Sequence, residues 1–185
     1  MLHMEHKDYK LEIVNLLLQG RNHIRGIAPK LGTNHMLVAR KIKALAQDNA
    51  VDFVQEGKNR SYFLKKTAEA RACIFMAENY KLILVLSRYP GLRGIIEKIQ
   101  RDKRISLAVI FGSYAKVTAT KDSDIDIYIR TKDRNLKKEM RMFDSRLSIK
   151  IGEYDKKNPM MQEIEKNHVI IKGVEEYYEK NQFLD

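Results

Sequence analysis

Residues 111–129 read FGSYAKVTATKDSDIDIYI, a Gly-Ser turn after one hydrophobic strand and an Asp-x-Asp opening the next. The apolar run that begins at Ile105 ends in Val109, Ile110 and Phe111. Gly112 then lets the backbone turn so that successive amides can approach a phosphate, and Ser113 adds a hydroxyl donor. Downstream, Asp124 and Asp126 alternate with Ile125, Ile127 and Ile129. In an extended strand both carboxylates share one face and the isoleucines pack beneath. Two carboxylates so close repel unless a cation lies between them. Oxygen ligands of this kind suit Mg²⁺, which uses one or two carboxylates and completes its shell with waters and phosphate oxygens. The plainer alternative is a surface Gly-Ser turn followed by an edge strand with two solvated aspartates.

Gly112-Ser113, ten intervening residues from Tyr114 to Ser123, then Asp124-x-Asp126: this spacing resembles the signature of the minimal nucleotidyltransferases, small relatives of the polymerase beta catalytic palm. The resemblance covers roughly residues 103 to 185 and implies a small mixed sheet. It also implies ATP as substrate or ligand, with Gly112 and Ser113 on the triphosphate and Asp124 and Asp126 on Mg²⁺. Such enzymes transfer a nucleotidyl group, usually AMP, to a hydroxyl on a protein or small molecule. Two departures bear on mechanism. Family members commonly have glycine where this chain has Val117, and they carry a third acid on a later strand. Here that strand is Leu147 to Ile151, whose alternate positions are Ser148 and Lys150. Glu153, just beyond, is the candidate third catalytic acid, with Asp155 behind it, although two residues of strand amount to about 6.6 Å. Lys150 is either a phosphate contact or a solvated strand residue.

At 185 residues with 44% hydrophobic content the chain can hold one medium domain or two small ones. The signature leaves about half of it unexplained, so two are expected. No apolar run reaches the length of a membrane span, and the N-terminus lacks a signal-type core, which points to a soluble cytoplasmic protein with no membrane partner. The lone cysteine, Cys73, cannot form an internal disulfide and reads as a small buried hydrophobe. The formal net charge of +11 is uneven. Residues 1–66 carry 12 Lys+Arg against 6 Asp+Glu, while residues 105–185 carry 15 against 14. A basic first half beside a nearly neutral second half points to a polyanion as partner of the first.

In that first half, Leu11, Val14, Leu17 and Leu18 recur at helical spacing and stop at Gly20. A second short helix fits Ile24 to Leu31, and Thr33 caps a third with Val38, Ile42 and Leu45 on one stripe. VDFVQEGKNRSYFLKK then alternates on both sides of Glu56-Gly57-Lys58-Asn59, a hairpin signal. Three helices and a basic hairpin over residues 8 to 66 resemble a winged helix-turn-helix, which implies duplex DNA as partner, with the third helix in the major groove. Helical projection puts Met36, Arg40 and Lys43 opposite the core stripe, with Asn34 and His35 at the N-terminal end, as candidates for base and phosphate contacts. Lys58, Asn59 and Arg60 at the hairpin tip are candidates for phosphates. A protein-interaction module with solvated lysines is the competing reading.

The expected organisation is α+β: a winged helix-turn-helix at 1–66, a helical linker at 67–102 and a polymerase beta-like fold at 103–185. The linker includes a long helix over residues 68–88, broken by Pro90-Gly91, whose surplus apolar residues suit either a second copy in a homodimer or the domain that follows. At the C-terminal end, Pro159 to Lys166 reads as a helix, His168 to Ile171 as a strand and Val174 to Lys180 as a helix. Two other functions stay open: an antitoxin partnered with a HEPN-type ribonuclease toxin, as minimal nucleotidyltransferases often are, and a transcription regulator that senses nucleotide without turnover.

Overall fold

The computed structural model describes residues 7–153, 155 and 157–180. The chain divides after Tyr80 into two compact units. The first follows the order α1 (Tyr9–Leu18), β1 (Asn22–His23), α2 (Ile24–Lys30), α3 (His35–Gln47), β2 (Val51–Glu56) and β3 (Asn59–Leu64). Its sheet has the order β1-β3-β2, antiparallel throughout. This is the winged helix-turn-helix arrangement. The helices form where they do because their ends are capped. Asp8 Oδ1 accepts the Lys10 and Leu11 amides at 2.9 and 3.3 Å, opening α1. Asn34 Oδ1 accepts the Leu37 amide at 2.9 Å, opening α3. Such a cap contributes about 1 kcal/mol. Asn34, not Thr33, is therefore the cap, because its side chain reaches the third amide of the helix. Ile13, Val14, Leu17, Ile27, Val38, Ile42 and Leu45 are all buried, so the three apolar stripes form the core of this unit. Across the hairpin Glu56 pairs with Asn59, leaving Gly57-Lys58 as a two-residue turn.

α4 (Ala68–Arg88) starts in the first unit and ends in the second. The segment expected as a separate linker is thus shared out: Cys73, Ile74 and Ala77 are buried with the first unit, Leu82 and Val85 with the second. Pro90–Leu92 form one 3-10 turn, after which α5 runs over Arg93–Arg101.

The second unit continues with β4 (Leu107–Ile110), the short α6 (Gly112–Ala115), β5 (Ile125–Arg130), α7 (Leu136–Phe143), β6 (Leu147–Ile151), α8 (Pro159–Lys166), β7 (Val169–Lys172) and α9 (Val174–Lys180). The strand order is β6-β5-β4-β7. β4 is antiparallel to β5 and β7, whereas β5 and β6 are parallel through the α7 crossover. The sheet is mixed, as the α+β reading requires. Ile125, Ile127 and Ile129 are fully buried in one cluster with Ile96, Ile99, Leu136 and Met140. Each such side chain stabilises by about 1.5–3 kcal/mol. The other sheet face is covered too, since all four β4 residues and Tyr128 are buried. Tyr177 and Tyr178 of α9 are buried as well, consistent with a packing role.

Candidate functional site

The turn at Gly112 and the acid at Asp126 meet because β4 and β5 are antiparallel neighbours: the C-terminal end of one lies beside the N-terminal end of the other. The Phe111 amide donates to the Asp126 carbonyl at 3.0 Å, tying the start of the turn to the strand. Gly112 has φ +69°, and a Cβ there would lie 2.6 Å from Asp126 Oδ2. Glycine is required twice over, by conformation and by space. Its missing side chain is what lets the turn sit against the carboxylate. Asp124 directly precedes β5 and is exposed, whereas Asp126 is half-buried in the strand. Among the described residues neither carboxylate is held by a hydrogen-bond donor or a cation. Their charge is available to a hard cation, and carboxylate oxygens of this kind match the donor set that Mg²⁺ prefers. Among the described residues no group of three or more His, Cys, Asp or Glu is placed to hold a metal.

The register of the parallel pair locates the missing acid. Asp126 lies opposite Ser148 and Tyr128 opposite Lys150. Ser148 thus occupies the position where a third carboxylate would join the pair. Glu153 does not reach it. Ile151 is already level with Ile129, and Glu153 Oε2 accepts from Arg130 Nε at 3.2 Å, four residues along β5 from Asp126. By strand rise that is about 13 Å. Glu153, the acid expected as catalytic, is thus placed beside Arg130 and not beside Asp126. Lys150 is exposed. Lys116, next to the turn, is engaged by Glu163 at 2.5 Å.

Val117 bears on the same turn. It has φ +58°, a left-handed conformation that a β-branched residue rarely adopts. The glycine common at this position in the resembling family has a physical reason here. The Val117 and Thr118 amides donate back to Tyr114 and Ser113 carbonyls at 3.2 and 2.9 Å, which closes α6 and requires the left-handed step.

In the first unit a cleft of about 470 Å³ opens between α3 and the wing. His35, Lys58, Asn59 and Arg60 line it, so four of the eight residues expected at the DNA surface come together. Met36, Arg40 and Lys43 are exposed on α3 outside the cleft lining. Asn34 is exposed, but its side-chain oxygen is committed to the helix cap. The cleft also gathers His23, Arg25, Gln55 and Tyr62, which sequence reasoning missed. His23 reaches it from a two-residue strand, Asn22–His23, paired with Tyr62 and Ser61 and too short to leave a pattern in the sequence. On the wing, the Arg60 guanidinium lies 4.4 Å from the Phe53 ring centroid, and Phe53 is 40% exposed. That contact holds the Arg60 guanidinium in place at the surface.

Comparison with known proteins finds likenesses to parts of this chain. The family model described as polymerase beta, nucleotidyltransferase matches residues 93–179. Among solved structures, the adhesin competence repressor AdcR from Streptococcus pyogenes is similar at 16% identity and a TM-score of 0.40, over 50% of this chain and 69% of that one. The homodimeric winged helix-turn-helix DNA-binding domain Mb0332 from Mycobacterium bovis, described as a possible ArsR-family regulator, is similar at 24% identity and a TM-score of 0.32. That match covers 45% of this chain and 71% of that one. No curated protein sequence matches. Among the described residues no helix is long and apolar enough to cross a membrane. Residues 93–179, just under half of the chain, are thus similar to the polymerase beta nucleotidyltransferase family, and a unit with the winged helix-turn-helix order of elements precedes them.

Proposed function

We propose that this protein binds duplex DNA through its winged helix and a Mg²⁺-nucleotide, ATP above all, at Gly112, Ser113, Asp124 and Asp126. The observation that carries the second half is the fit of Gly112 against Asp126, which makes the phosphate turn and the carboxylate one site. The backbone at Gly112-Ser113 holds the phosphates, and Asp124 and Asp126 hold the cation. When bound, Mg²⁺ offsets charge on the α-phosphate and the leaving pyrophosphate. The acceptor hydroxyl comes from a protein or small molecule. It loses its proton as it attacks, and the AMP group passes to it with release of pyrophosphate.

Ser148 opposite Asp126 favours a second reading, in which nucleotide is sensed and turned over slowly. An antitoxin role with a HEPN-type partner would use the same nucleotide site. Both retain nucleotide binding, so binding is the first test. Asp124→Ala and Asp126→Ala are expected to abolish Mg-ATP binding in isothermal titration while circular dichroism and DNA affinity stay unchanged. Wild-type affinity in both variants would sink the metal assignment and leave two solvated aspartates.

A further inference from the structure

The second unit contains a cavity of about 580 Å³ that the carboxylate site does not use. Its size is that of an ordinary small-molecule pocket. One wall is aromatic: Tyr89 and Tyr114 meet edge to face, with ring centroids 4.9 Å apart and planes at 67°. Leu92 and Ala119 extend the apolar lining. The polar lining is cationic, from Arg88, Lys121 and Arg146, with the Thr120 residue beside them. Asp144 binds Arg146 at 2.8 Å and offsets one of these charges, and no acid lines the cavity. An aromatic wall beside a surplus of cations recognises a ring that carries an anion.

This cavity and the carboxylate pair lie on opposite faces of β5. Tyr114 packs in the cluster of Ile125 and Ile127, whereas Asp126 alternates with them. Five of the lining residues, 88–92, precede the segment that matches the nucleotidyltransferase family, so the cavity is built partly from sequence outside it.

We propose that the cavity is a second ligand site, which takes a nucleoside monophosphate without a divalent cation. The base packs against the Tyr89 and Tyr114 wall, and the phosphate rests on Lys121 and Arg88 with the help of Arg146. Packing and charge act together, so neither a bare anion nor an uncharged nucleoside is a full ligand.

The test is isothermal titration of the full chain with AMP in excess EDTA, which removes cation-dependent binding at Asp124 and Asp126. Saturable binding is expected. Arg88→Glu and Lys121→Glu, both at exposed side chains, are each expected to weaken it at least tenfold, with unchanged circular dichroism and unchanged Mg-ATP affinity. Asp126→Asn is expected to leave AMP affinity in EDTA unaltered. No saturable heat up to about 5 mM AMP would overturn the proposal. So would equal affinity for adenosine or for inorganic phosphate. AMP binding that survives Lys121→Glu and Arg88→Glu but is lost in Asp126→Asn would place the nucleotide at the carboxylate pair instead.

Discussion

Val117 shows how one side chain can work against a conformation its neighbours require. Thr118 and Val117 amides close α6 only with a left-handed residue at 117, and valine there costs about 1–2 kcal/mol. Glycine removes that strain but adds freedom to the unfolded chain, worth about 0.5–1 kcal/mol. Val117→Gly is therefore expected to stabilise the second unit by up to about 1.5 kcal/mol, read as a higher urea midpoint at unchanged slope. Tyr128 is the complementary case of a group that fits. It is fully buried and its hydroxyl donates to the Gly152 carbonyl at 2.8 Å. Burial first, then the charge of Glu153, pushes its phenol up to about 12. An unfolded tyrosine titrates near 10. Below that pH both states keep the proton and the stabilisation is complete; between about 10 and 12 only the unfolded chain releases it, so stability falls with rising pH. At 1.36 kcal/mol per unit the loss reaches about 2–3 kcal/mol. Denaturant titrations across this range should show that decline, and Tyr128→Phe should flatten it.

At the scale of elements, the pairing of β5 with β6 decides which residues can share chemistry. The sequence spacing alone allowed Glu153 to shift into the site, but a parallel register repeats evenly, and Asp126 opposite Ser148 leaves no slack for such a shift. Ser148→Asp is expected to raise transfer to a suitable acceptor, assayed with labelled ATP and cell extract as acceptor source. A well-placed base contributes about 10²–10⁴-fold, so a tenfold gain is a modest target. Wild-type transfer that is already fast and gains nothing from Ser148→Asp would mean that the acid or base is supplied elsewhere. Lys150→Asp, one pair further from Asp126, should gain less.

For the whole molecule, the basic first half suits the polyanion partner proposed above. DNA affinity should fall steeply with salt, and Arg60→Ala should reduce the magnitude of the log–log slope by about one for one phosphate counterion released. Arg40→Ala, on the exposed face of α3, should change sequence preference instead. Fluorescence anisotropy on specific and random duplexes separates the two effects. Absence of affinity beyond about 10⁻⁴ M at low salt would favour a protein-interaction role for the wing.

What the sequence determined by itself is local. Helical spacing of Leu11, Val14 and Leu17, the hairpin around Gly57, the helix after Pro159 and the Gly112-to-Asp126 spacing each follow from short-range periodicity and backbone freedom, and each stands in the structure. Tertiary structure decided what depends on pairing between distant segments. Only the β5-β6 register showed that Glu153 lies with Arg130, and only the β1-β3 pair brought His23 to the cleft. The division after Tyr80 is of the same kind: a helix has one local pattern along its length, but which core its residues join depends on what packs against them.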